Sequence, residues 1–473
     1  MKENLITSVD DQMNEFLEQV GARISDYFGF RVIPQKLDQQ SMTSLSIPPH
    51  FYKPLIKHLL DKLSKVIKDY INLYDVPKPN LINNIIEDLS LYIIFGDYNE
   101  NYANLISELK NIGARSYEGK TVDIGVLYCP NDKALTQLED LKADIIRLPE
   151  KKSISSFFNE EKPYLRLIDN MSLALIIDSE FKAIALLRKR SEEKSLNYIL
   201  EKEFNSYLKD KLHNTIINFF FEMLKESLGD HINTVDFEEM NKEHSTKCPE
   251  YTYFSLKSNK INIFTKNDFV LTYYNGDWKL KHYNIIRSIL VNHLFIAKLK
   301  PLVNSVIASK NDLLFKTFQS IIDDTDNFVE TLLRLSQNNI SSIILIDSTK
   351  KESHREKRKK LEQLKINAVL KNKIQKPTYL NVIKHKKTNM EFLKADYYLI
   401  EAISSVDGAL VLDADMRIVS FGEIINTEGK QYPQTYGTGT TAARYASKHC
   451  LAIKISEDGD IYIFKDERLK LKI

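Results

Sequence analysis

Two short segments near the C-terminus carry residue types that could handle a phosphate. Asp407-Gly408-Ala409 opens an apolar run, and Gly437-Thr438-Gly439-Thr440-Thr441 leads into Ala442-Ala443-Arg444-Tyr445. A carboxylate at the mouth of a strand, followed by a Gly-Thr loop entering a helix, can serve phosphate and metal. The helix start offers N–H groups without intrahelical partners and a partial positive charge. Gly439, Thr440 and Thr441 would present backbone N–H groups and two hydroxyls, with Thr440 or Thr441 as N-cap. Arg444, one turn further, would add positive charge. The same residues also fit a plain capped helix whose arginine faces water.

These segments need a scaffold, and the surrounding pattern predicts one. Leu314, Phe318, Ile321, Ile322, Phe328, Leu332 and Leu335 recur at helical spacing across residues 313–335. Residues 340–346 then form an apolar run short enough for a buried strand. Residues 392–403 read as a helix that delivers Asp407 to the sheet. The runs 409–412 and 417–421 flank Asp413-Ala414-Asp415, and 451–457 and 460–464 flank Asp458-Gly459, so two hairpins are expected.

In this order the elements resemble the diadenylate cyclase family, from about Leu313 to Phe464. The family carries a DGA triplet, then a GTRHR segment, then a strand ending in Ser-Glu. Here Asp407-Gly408-Ala409, Gly437-Thr438 and Ser456-Glu457 match, whereas Gly439, Thr440 and Thr441 stand where the family has Arg-His-Arg. The resemblance implies a nucleotide site built on Asp407, Gly408, Ala409, Gly437, Thr438, Gly439, Thr440, Thr441 and Arg444. It implies ATP, a related nucleotide or a cyclic dinucleotide as ligand. It also implies Mg²⁺ or Mn²⁺ at Asp407 and Glu457, with Asp407 catalytic if activity survives, and a homodimer if two sites are to face each other. Loss of Arg-His-Arg removes charge stabilisation from a reaction that depends on it, at on the order of 10²–10³ in rate for one such donor. A bacterial-type sensor domain is therefore expected in place of a working cyclase. The alternatives are an active cyclase making cyclic di-AMP and a nucleic-acid-binding protein.

The nucleic-acid alternative rests on a basic insertion at 350–387, which holds fourteen Lys or Arg against three Glu. A solvated helix would explain it too. Across all 473 residues the net charge is only +2 and 43% are hydrophobic, which gives no global argument for nucleic acid or membrane. Three scattered cysteines do not suggest a disulfide framework, and no apolar run approaches the length of a membrane span, so a cytoplasmic chain is expected. His244 and Cys248 lie close together but lack the further ligands that a zinc site needs.

The expected fold class is α/β (α+β): a C-terminal mixed sheet flanked by helices in residues 301–473, a middle α+β domain in 116–300 and a mostly helical region in 1–115. Within the middle domain, strands are predicted at 121–128, 173–177, 182–187, 251–256, 260–264 and 269–274. Lys279 to Leu294 reads as a basic amphipathic segment. Ala174-Leu175-Ile176-Ile177-Asp178 parallels Ala409-Leu410-Val411-Leu412-Asp413, as a degenerate second copy would, although hairpins share such patterns by chance.

Overall fold

The computed structural model describes residues 15–30 except 17, 79–96, 99–141, 143–160, 163–190, 194–228, 246–266, 270–281, 283–299, 311–347, 370, 381–385, 388–427 and 436–473. The chain is mixed α+β, with two large sheets in two compact units. One unit comprises residues 1–223 and 233–282, the other 224–232 and 283–473. This division differs from the expected three parts. The helices before residue 115 share a unit with the middle sheet, and the break falls after His282 and not at 300. The cause is packing: Leu105, Ile106, Leu109 and Ile112 are buried on a helix that lies on that sheet.

In the first unit α1 (Pro79–Phe95) and α2 (Glu100–Gly113) precede β1 (Asp123–Tyr128). Asn99 caps α2 by accepting the N–H of Asn101. There follow α3 (Asp132–Glu139), β2 (Ala143–Ser153), α4 (Ile154–Glu160), the hairpin β3 (Leu173–Ile177) and β4 (Lys182–Lys189), and α5 (Leu196–Leu228). A meander closes the unit: β5 (Thr252–Lys257), β6 (Lys260–Phe264), β7 (Val270–Tyr274) and β8 (Asp277–Lys281). The strand order is β8-β7-β6-β5-β1-β3-β4-β2. Central β1 runs parallel to β3 and antiparallel to β5. Its apolar run is covered on both faces.

Trp278 belongs to this core. It is buried with its ring 5.2 Å from that of Tyr273, and the Lys110 ammonium lies 4.1 Å above the Tyr273 ring. The expected segment from Lys279 to Leu294 is two elements, since its first three residues finish β8 and the helix starts at Tyr283.

The second unit holds α6 (Tyr283–Leu294), α7 (Asn311–Gln337), β9 (Ser342–Ile346), α8 (Tyr397–Ser404), β10 (Ala409–Leu412), β11 (Ile418–Glu423), α9 (Thr438–Ala446), β12 (Leu451–Ile455), β13 (Ile461–Lys465) and β14 (Arg468–Lys472). All seven apolar positions that predicted α7 are buried. A buried pair ties it to α6, Arg287 Nε donating to Asp326 Oδ1 at 3.1 Å. The helix expected over 392–403 breaks at Asp396, whose carboxylate accepts the N–H groups of Tyr398 and Leu399 and so starts α8 afresh. Strand order is β11-β10-β9-β12-β13-β14, with β9 parallel to β10 and antiparallel to β12. α9 covers one face, packing Ala443 and Ala446 against Ile343, Leu345, Ala409, Val411 and Ala452. The basic insertion lies almost wholly outside the described residues.

Candidate functional site

Parallel pairing of β9 with β10 brings the starts of both strands to one edge of the second sheet, and antiparallel β12 ends there. Asp407 stands just ahead of β10 and Glu457 just beyond β12, both exposed. Gly437, exposed, is the N-cap of α9 and supplies no capping side chain. The helix thus begins at Thr438, ahead of the expected caps: Thr440 is buried inside its first turn, and the Thr441 N–H already bonds the Gly437 carbonyl at 3.0 Å. Among the described residues no partner outside the helix meets the N–H groups of Thr438, Gly439 or Thr440. Helix starts left in this way attract anions.

Beside this helix start lies a cation that the motif comparison did not single out. Lys454, in β12, is only 8% exposed although it is charged. Its Nζ donates to Ser341 Oγ at 2.7 Å. A Cβ placed on Gly439 would lie 3.2 Å from Lys454 Cε and 3.5 Å from Nζ, so the ammonium sits against the first turn of α9. Burial pulls the Lys454 amine below the usual lysine range, and the Glu457 carboxylate opposes that shift. The sequence signal is weak: in Leu451-Ala452-Ile453-Lys454-Ile455 alternation places Lys454 on the face opposite the three large apolar residues, whereas all five residues are buried.

Arg444 is turned elsewhere. Its Nε donates to the Glu467 carbonyl at 2.9 Å, and Ser447 holds the same turn through its carbonyl to Asp466 N–H and its hydroxyl to Glu467 N–H. Asp466 and Glu467 have φ of 55° and 59°, a turn conformation that non-glycine residues adopt only with support. Arg444 is thus a fastener for the β13–β14 turn.

Gly408 has a structural reason to be glycine. Its φ is 108°, and a Cβ would lie 2.6 Å from the Gly422 carbonyl carbon and 2.8 Å from the Glu423 nitrogen. The backbone crosses β11 too closely for any side chain. Ala409, the next residue, is fully buried under α9. Asp407 is thereby left at the rim while the two residues after it are fixed by packing.

Among the described residues, no group of three or more His, Cys, Asp or Glu side chains could hold a metal ion. Asp407 and Glu457 are two exposed carboxylates, and the charge of Glu457 is felt by the Lys454 amine. Mg²⁺ takes several oxygen ligands and is commonly held by one or two carboxylates together with phosphate oxygens, so Asp407 and Glu457 would supply only part of such a set. The edge presents one ammonium and helix N–H groups that have no partner among the described residues.

A cleft of about 60 Å³ opens in the first unit at the start of β1, lined in part by Lys120, Asp123, Arg166 and Asp169. It has room for a few waters and not for a nucleoside. Among the described residues no helix is long and apolar enough to cross a membrane.

No family model and no curated protein matches the chain. A solved structure described as that of the hypothetical membrane spanning protein from Bacillus cereus is similar at 16% identity, over 40% of this chain and 91% of that one, with a TM-score of 0.22. A likeness at that level carries no argument.

Proposed function

We propose that the second unit is a nucleotide-binding sensor domain whose edge takes the phosphates of a nucleotide or cyclic dinucleotide and does not drive phosphoryl transfer. One observation carries the reading: a largely buried lysine ammonium, Lys454, lies against Gly439 at a helix start whose first N–H groups have no partner among the described residues. Burying an ammonium in an apolar sheet costs stability unless its charge is used. An incoming phosphate would use it, completing a set of charge-assisted and backbone hydrogen bonds.

The resemblance to the cyclase family supplies the ligand class, and the Gly439-Thr440-Thr441 segment is the reason to expect binding without chemistry. One ammonium and a helix start can hold ground-state phosphate. They lack the set of cations that would follow charge as it develops in the transition state. The test is to incubate the protein with ATP and Mn²⁺ or Mg²⁺, separate products by chromatography, and titrate ATP by calorimetry with Asp407→Asn and Lys454→Met alongside. The expected result is ATP binding that depends on Lys454 and no cyclic dinucleotide. Product that disappears in Asp407→Asn would replace sensing with synthesis, and absence of both product and binding would overturn the nucleotide reading.

A further inference from the structure

Residues 100–281 and 311–473 follow one plan. In each, an amphipathic helix (α2, α7) precedes the central strand (β1, β9). That strand pairs in parallel with the first arm of a hairpin (β3, β10) and antiparallel with the strand that opens a meander (β5, β12). A helix stands between hairpin and meander in both (α5, α9).

The match extends to single residues. Val126 pairs with Leu175 and Phe254 as Ile344 pairs with Leu410 and Ile453. Both hairpins skip a residue at the same step: Ile176 faces Ala185 but Ile177 faces Ala183, while Val411 faces Ser420 but Leu412 faces Ile418. Both turn on an aspartate. Asp178 Oδ1 accepts the N–H groups of Glu180 and Lys182, each at 3.0 Å, and Asp413 Oδ1 accepts those of Asp415 and Arg417, each at 2.9 Å. Phe181 and Met416 then occupy the same left-handed position, at φ of 59° and 54°. Large side chains are rare there. Sheet geometry alone does not dictate a shared bulge, a shared aspartate turn and a shared strained residue in two hairpins.

The ligand edges diverge. The place of Lys454, opposite Ile343, is held in the first unit by Ser255, opposite Gly125. A Cβ on Gly125 would fall 2.3 Å from Asn170 Oδ1, so the Asn170 amide occupies the space above that strand. Asn170 is 1% exposed. Its amide nitrogen donates to Ser255 at 3.0 Å and to Asp123 at 3.2 Å, and its oxygen accepts the Tyr253 hydroxyl at 2.6 Å. The neighbouring backbone also closes the start of α5, where Leu196 and Asn197 N–H groups bond the Met171 and Asn170 carbonyls at 2.7 and 3.0 Å. The corresponding N–H groups of α9 have no such partners among the described residues.

We infer that the chain is a tandem repeat of one α+β unit in which Asn170 shuts the ligand edge of the first copy, leaving one anion-binding edge between the two copies among the described residues, at Lys454. The count of one rests on the anion-binding reading of the second unit; the closure of the first does not. Asn170 sits at φ of 57°, which glycine adopts freely, so Asn170→Gly removes the side chain alone. In the 473-residue chain without ligand, Asn170→Gly should lower the unfolding midpoint by roughly 5 °C or more, and Tyr253→Phe by less in the same direction. An unchanged midpoint in both would overturn the closure. In parallel, ATP titrated into the wild-type chain should show one site, lost in Lys454→Met. Two sites per chain, or binding that survives Lys454→Met and disappears in Arg166→Ala, would overturn the inference. A wild-type chain that takes up no ATP would overturn the anion-binding reading and the count of one, while the ligand-free midpoint would still decide whether the first edge is closed.

Discussion

Replacing Lys454 with methionine should move binding and stability in opposite directions. Methionine keeps the length and flexibility of the side chain, so the volume beneath α9 stays filled. What goes is an ammonium that is 8% exposed and bonded to Ser341 at 2.7 Å. Hydrogen bonds to charged groups contribute about 1.5–3 kcal/mol, so ATP affinity should fall roughly 10- to 150-fold. Stability should be unchanged or rise by about 1 kcal/mol, the low end for exchanging a buried ion for an apolar side chain, or some 2–4 °C in a unit of this size. Ser341 is only half-buried and can turn to water. Calorimetric titration of ATP and a thermal melt on the same preparations give both numbers. Because burial pulls the amine below the usual lysine range, wild-type affinity should also decay on the alkaline side earlier than it would for an exposed lysine. The reasoning fails if Lys454→Met melts several degrees lower and binds ATP as before, because the lysine would then be a structural strut.

Three further outcomes follow from the same packing. His293 is 7% exposed, its Nε2 has no partner among the described residues, and burial with the nearby Lys465 charge pushes its pKa from 6.5 down to about 4. As pH falls the unfolded chain takes up the imidazole proton first, so the contribution of His293 to stability is present above about pH 6.5 and falls by about 3 kcal/mol on the way to pH 4. Because Glu201, raised by burial to about 7, titrates in the same range with the opposite sign, the check is the difference between wild-type and His293→Gln melts across that range. Gly408→Ala, forced to a φ of 108° and onto the backbone of Gly422 and Glu423, should cost at least ~2–3 kcal/mol whether or not ligand is present, read as an earlier denaturant midpoint. Arg444→Ala should lower stability by about 1 kcal/mol through the β13–β14 turn and leave ATP affinity within twofold; a larger loss of affinity would return Arg444 to the site.

Much of the second unit was legible because its signals are local. The spacing of Leu314, Phe318, Ile321 and Ile322 fixes a helix face, and Asp458-Gly459 fixes a turn. Other features depend on residues distant in sequence. Strand β2 carries Arg147, Glu150, Lys151 and Lys152, and its polar run pairs with β4 at the sheet edge, where burial gives no apolar alternation to read. Strand β14 is similarly lysine-rich and follows a turn of two non-glycine residues supported by Ser447. Of the candidate site, Asp407, Gly408 and Gly437 through Thr441 are legible as motif. Lys454 was missed because its importance comes from where β12 ends, beside a helix that lies earlier in the chain. Arg444 was chosen by nearness in sequence, and its direction is decided by the Asp466-Glu467 turn.

If the two units are copies and the second edge binds anions, the contrast between the two edges gives Lys454 more weight than any motif residue. The two copies offer similar strand ends and similar helix starts, and they differ in how those groups are satisfied. In the first, Asn170 and the carbonyls around it take up the helix start and the strand-end polar groups, so the edge is neutralised from within. In the second, the ammonium has Ser341 and Glu457 as neighbours, and the helix start has no partner among the described residues. An anion entering the first edge would displace existing hydrogen bonds, whereas one entering the second would add new ones. Since an intramolecular bond and a bond to ligand are of similar strength, that difference in starting state is enough to decide which copy binds. Binding at the second edge would also be insensitive to Asp407, whose carboxylate stands at the rim and bears the wrong sign for phosphate. Asp407→Asn should therefore hold or modestly raise ATP affinity in the absence of divalent ions, and a loss beyond tenfold would mean that Asp407 contacts the ligand directly.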